Sequence, residues 1–130
     1  MRDVLHQIVR AVVWAALILS ASEVAAQRRT DDTSANSVFL GCKAFVEDRV
    51  TVRLASVANF CAGVVHGLSA TARYVSPPEW QSCAPADSDT RQLLRVVVKY
   101  IEAHPERMHE DFRPRALEAF HQAWPCKSGR

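Results

Sequence analysis

Four cysteines, Cys42, Cys61, Cys83 and Cys126, are the residues of this chain best fitted by type and spacing for chemistry. An even number in a short exported chain is expected to close two disulfides. The rival use, a zinc site, is not indicated, because no two cysteines form a CxxC pair and none stands beside a histidine at zinc-finger spacing. No metal and no cofactor are expected. His66, His104, His109 and His121 fall on different segments, and the five-residue step from His104 to His109 puts those two on different sides of any helix. Surface or capping roles are expected for all four. The adjacent pairs Glu47-Asp48 and Glu110-Asp111 point apart on a helix, so they are expected to be solvated rather than to act as acid and base. No GxSxG, HExxH or phosphate-cradling glycine loop occurs. With its thiols committed to bridges the chain keeps no cysteine nucleophile, so an enzyme is not expected and binding is the remaining class of function.

The N-terminus explains why the cysteines should be oxidised. Residues 1–10 (MRDVLHQIVR) are basic, residues 11–19 (AVVWAALIL) are unbroken apolar, and small residues Val24 and Ala26 follow. That order is a secretory signal peptide. Its apolar run is about half of the ~18 to 20 residues that a permanent membrane span needs. Residues 1–26 are expected to be cleaved, leaving a mature chain that starts at Gln27 with no membrane attachment. The leader holds two basic and two acidic side chains, so the net charge of +2 persists without it. Basic residues are scattered, which gives no footprint for nucleic acid. What remains suffices for one domain whose small core leaves a thin margin of stability, and bridges would widen it.

Residues 27–35 are polar and are expected to be a flexible lead-in to a domain over 36–130. Val38, Cys42 and Phe45 repeat at helical spacing through Asp48, with Thr33, Ser34 or Asn36 as cap. Residues 49–53 (RVTVR) alternate and are expected to be briefly extended. Val57, Phe60, Cys61, Val64, Leu68 and Ala72 form one stripe of a second helix over 56–74. Gly63 and Gly67 lie on its other side, and a close helix neighbour is the expected reason for them. Residues 75–89 carry Pro77, Pro78 and Pro85 and must be a loop. Asp89 with Gln92 reads as a capping box for a third helix, Thr90 to Ala103, that buries Leu93, Leu94, Val97, Tyr100 and Ile101. Pro114 suits the first turn of a fourth helix, which carries Leu117, Phe120 and Trp124. Four helices without a convincing strand predict an all-α bundle.

The ordered residues of this frame resemble the Rap/Tai immunity proteins of type VI secretion. The likeness runs from Asn36 and Cys42 through Phe60-Cys61-Ala62-Gly63 with Gly67, Cys83-Ala84-Pro85, and Gln92-Leu93 with Val97-Val98-Lys99-Tyr100-Ile101. It continues through His104-Pro105-Glu106 and Ala116-Leu117 and closes on Ala123-Trp124-Pro125-Cys126. It thus spans nearly everything after the leader. It implies a helical, disulfide-bonded, dimeric periplasmic antidote that covers the catalytic cleft of an injected peptidoglycan amidase. The alternative is a small periplasmic helical chaperone or stress protein with no dedicated toxin; a small enzyme or metal carrier is a more distant one.

Four cysteines allow three pairings. Chain entropy assigns about 4.5 and 3.4 kcal/mol to Cys42–Cys126 with Cys61–Cys83, against about 3.2 and 4 kcal/mol for Cys42–Cys61 with Cys83–Cys126. The first pattern would anchor the chain end on helix one and close the Pro-rich loop on helix two, and it is the one favoured. For partner binding, Glu79 and Trp80 on the proline-stiffened loop are candidates, because a large aromatic there loses little entropy on docking. The alternative for Trp80 is a lid over the core. Glu106 and Arg107, in the turn 104–110 (HPERMHE), are the second pair, weighed against a merely solvated turn.

Overall fold

Ser34 starts the first helix: its hydroxyl accepts from Ser37 N at 3.4 Å, and α1 runs over Ala35–Val46. The computed structural model describes residues 33–75 and 77–127, together with Gln7. The chain divides into two units, Met1–Asp32 and Thr33–Arg130, and all that follows concerns the second. The expected leader, its cut after Ala26 and the lead-in as far as residue 32 lie outside the described residues. Helix α1 stops before the expected Asp48 because Asp48 turns left-handed at φ 59°. Aspartate tolerates that region, and the reversal lets Arg49 N donate to Ala44 O at 2.9 Å and close the last turn.

Residues 49–51 take no regular structure, and residues 52–54 turn instead of continuing the expected extended piece. Thr51 O accepts from Leu54 N at 3.0 Å, making a turn that leads straight into α2 (Ala55–Thr71). The expected helix over 56–74 tightens at its end into a 3-10 turn, Ala72–Tyr74. The buried face of α2 is Ala58, Cys61 and Val65, continued by Ala72 in the 3-10 turn, and it is rotated from the predicted stripe so that Phe60 is 40% exposed. Small residues face α1 because the two helices nearly touch there. A Cβ placed on Gly41 would lie 2.7 Å from both Ala58 N and the Val57 carbonyl carbon. The expected close approach at Gly63 and Gly67 is absent: nothing lies within 4 Å of a Cβ at either.

The two kinds of glycine should therefore respond oppositely to alanine. Gly41→Ala forces backbone apart and is expected to cost about 1 to 3 kcal/mol. Gly63→Ala and Gly67→Ala meet open space and are expected to stabilise by about 0.5 to 1 kcal/mol each. Thermal melts of the three single variants check the signs.

Asp89 caps α3 (Thr90–Glu102), accepting from Gln92 N at 2.7 Å as the capping pattern predicts. Its buried residues are Leu93, Leu94, Val97, Val98 and Ile101, with Tyr100 half-buried. Asp111 caps α4 (Phe112–Ala123), which accommodates Pro114 in its first turn and buries Phe112, Arg115, Ala116, Ala119 and Phe120. Leu117 and Trp124, predicted in the core stripe, are only half-buried. Helix α3 packs against all three others, and Phe112, Phe120, Leu94, Val65 and Val97 fill the centre. Among the described residues the only β-type pairings are two isolated bridges, Ser34 with Asp111 and Ser82 with Pro125, so the bundle is all-α as predicted.

The favoured disulfide pairing is overturned. The bridges are Cys42–Cys61, with Cα atoms 5.4 Å apart, and Cys83–Cys126, with Cα atoms 4.9 Å apart. The two patterns differ by under about 1 kcal/mol in chain entropy, so packing decides. Gly41 seats α1 directly on α2, which sets Cys42 opposite Cys61 inside the core with no exposure. Cys83 N donates to Trp124 O at 2.8 Å, which holds Cys83 beside the end of α4 and Cys126.

Candidate functional site

The Pro-rich loop is strapped, not free. Ser82 N donates to Ala72 O at 3.2 Å, tying the loop to the end of α2, while Cys83 N and the Cys83–Cys126 bridge tie it to the end of α4. Gln81 is held twice: its side-chain Nε2 donates to Val75 O at 3.0 Å, and its carbonyl accepts from His121 Nδ1 at 2.7 Å. That contact fixes the imidazole with its proton on Nδ1 and explains a histidine on the loop-facing side of α4. The strap leaves a 3-10 turn, Pro78–Trp80, sitting on α4. Glu79 is exposed and Trp80 half-buried there, outside the central cluster. Trp80 is not among the residues packed on the central cluster, and part of its surface remains exposed on a turn tied at both ends.

The second candidate turn is built differently. Pro105–Arg107 forms a 3-10 turn in which Glu106 is exposed. Arg107 is occupied: Nε and Nη2 grip Glu110 at 2.8 and 3.0 Å, and Nη1 lies 3.1 Å from Glu118. Arg115, 6% exposed, joins the same carboxylates, with Nη1 3.1 Å from Glu110 and Nη2 2.5 Å from Glu118. Glu110 is therefore paired, not merely solvated as its adjacency to Asp111 implies. Asp111 is paired too, accepting from Thr33 Oγ1 at 2.7 Å and from Arg113, and that guanidinium holds its carboxyl well below the usual carboxylate range. Glu47 and Asp48, by contrast, are exposed and make surface pairs with Arg49 and Arg91. The chain entry is sewn to this turn as well, with Ala35 N on Glu110 O and Asn36 N on Met108 O, both at 2.8 Å.

The structure keeps the two candidate pairs apart in role. Glu79 and Trp80 ride on the strap above α4, and Glu106 and Arg107 on a turn braced by buried charge. No hydrogen bond or ion pair joins the two turns among the described residues. The histidines likewise do not converge: His104 Nδ1 donates to Tyr100 O at 2.8 Å, His66 Nδ1 lies 3.4 Å from Thr90 Oγ1, and His109 is exposed. Among the described residues no group of three or more His, Cys, Asp or Glu is placed to hold a metal. What the two turns present is exposed side chains on segments tied to the helices.

Tyr100 gives the braced turn a measurable signature. Burial first, and its hydrogen bond to Glu118 at 2.7 Å second, push its phenol up to about 12. A folded-state pKa raised above the ordinary value near 10 means that the folded state favours the protonated phenol. Its contribution is complete below about pH 10 and is lost as pH climbs from there to about 12. Ultraviolet titration should show one tyrosine ionising at the upper end, and Tyr100→Phe should remove both that step and the associated fall in stability.

A family model of Rap1a immunity proteins matches residues 34–126. No curated protein and no solved structure matches the chain significantly.

Proposed function

This chain belongs to the Rap1a immunity protein family, and from that membership we propose that it is a periplasmic antidote that binds and occludes a type VI secreted peptidoglycan amidase. The family match carries the reading. It begins at Ser34, which caps α1, and ends at Cys126, so it takes in all four helices and both bridges. An immunity protein is a binder of a secreted effector protein, and an amidase is the effector class whose substrate lies where this chain would be delivered. Two disulfides support an oxidising compartment, and no helix among the described residues is long and apolar enough to cross a membrane. Residues 1–26 act as the cleaved leader in this reading, and the mature protein works as a homodimer. It performs no chemistry of its own; it denies substrate to the amidase.

Glu79 and Trp80 are the primary docking side chains in this proposal, since the strap pre-pays their ordering. Glu106 is the second contact, and Arg107 positions it. Co-purification and calorimetry with a type VI secreted peptidoglycan amidase test the assignment. Trp80→Ala combined with Glu106→Ala should weaken binding by roughly 30-fold or more, the size expected for a hot spot. Undiminished affinity would discard these turns. A chain that ignores the amidase but keeps unrelated proteins soluble at low pH would support the chaperone alternative instead.

A further inference from the structure

A shallow groove of about 350 Å³ lies between α3 and α4 and belongs to neither candidate turn. Its apolar lining is Val96, Ala103, Ala119 and Ala123. Three alanines where facing helices could interlock larger side chains leave a trough rather than a filled seam. The volume falls at the lower end of the range for small-molecule and side-chain pockets, roughly 300 to 1,000 Å³.

Its rim is cationic. Lys99 lines the groove, and Arg95 stands one helical turn before it; both are exposed, and neither is in an ion pair among the described residues. The nearby carboxylates are already neutralised. Glu102 pairs with Lys43 at 2.7 Å, and Glu118 is held by Arg115 and Arg107. Across the groove, Gln122 adds an exposed amide, which can donate. His104, also in the lining, has Nδ1 committed to Tyr100 O, so its ring is fixed.

We propose that this groove is a second docking site, which seats an apolar side chain of the effector while an adjacent carboxylate meets Lys99 and Arg95. The apolar floor supplies affinity, and the two unpaired cations select for acid next to it. The effector as source rests on the immunity reading; the preference for an apolar carboxylate does not.

The test uses 3-phenylpropionate as probe and nitrogen-15 NMR of the full mature chain. Saturable shifts are expected at Val96, Ala103, Ala119 and Ala123, with dissociation constants on the order of 1 mM for so small a ligand. The neutral analogue 3-phenylpropanol should bind at least fivefold more weakly, as should the acid to Lys99→Glu. Ala123→Leu, at an exposed position that fills the trough, should abolish the shifts while the circular dichroism stays unchanged. Equal binding of acid and alcohol, or shifts centred elsewhere, would overturn the proposal. So would amidase inhibition undiminished in Lys99→Glu with Ala123→Leu, and that result would leave the immunity reading intact. Failure of the unaltered chain to inhibit the amidase, with probe binding as expected, would sink the effector as occupant but not the groove's ligand preference.

Discussion

Arg115→Ala is expected to destabilise the domain by about 3 kcal/mol, the lower end of what breaking a buried ion pair costs. The lower end applies because Glu110 and Glu118 keep side-chain exposures of 32% and 27% and so retain part of their hydration. Arg115 itself is sealed in, and its removal leaves two carboxylates to repel each other with Arg107 alone between them. The melting temperature should fall by roughly 12 °C or more, at about 4 to 8 °C per kcal/mol for a domain of this size. A double-mutant cycle with Glu118→Gln should return a large coupling, because each substitution removes the same contact. Urea unfolding of the four species measures it.

Loss of the buried bridge should be more damaging still. Cys42→Ala with Cys61→Ala removes about 3 kcal/mol of chain constraint and also leaves a void at two residues of zero exposure. We expect this variant to be largely unfolded at 37 °C. Cys83→Ala with Cys126→Ala removes about 4 kcal/mol by the same entropy relation, yet its sulfurs sit at the end of the bundle, where Cys83 is exposed. That variant should keep its helical circular dichroism and lose the strap instead, so binding to the proposed amidase partner should weaken before the fold does. The contrast is visible without mutation. Mild reduction followed by alkylation and mass spectrometry should label Cys83 and Cys126 first, with Cys42 and Cys61 protected until the core opens.

Much of this architecture was legible because local signals agreed. Asp89 and Gln92 marked the start of α3, Leu93, Leu94, Val97 and Ile101 defined its buried face, and Pro114 placed the start of α4. The errors share a cause: they concern which surface of one helix meets which surface of another. Phe60 completes an apolar stripe on paper but is 40% exposed, because Gly41 seats α1 directly on the backbone at Val57 and Ala58, which turns Ala58 and Cys61 inward. Gly41 makes that approach possible, and a lone glycine in α1 carries no pattern to announce it. The Gly63 and Gly67 pair does carry one, and it misled. Disulfide pairing followed the helix contact rather than loop entropy, which barely separates the alternatives.

The site was legible in part for similar reasons. Prolines around Glu79 and Trp80 flagged a stiff loop, but its strap depends on His121, forty residues away on α4, whose partner is a backbone carbonyl with no sequence signature. Arg115 precedes an Ala-Leu pair and reads as a surface residue; only the fold turns it inward. The groove is built from alanines, which a periodicity reading treats as neutral.

Peptidoglycan hydrolysis by the proposed amidase partner, measured against increasing amounts of the mature oxidised chain, tests the central claim most directly. Inhibition should reach completion near one chain per amidase and follow the binding affinity. Hydrolysis that continues at its full rate with the chain in large excess would contradict the account.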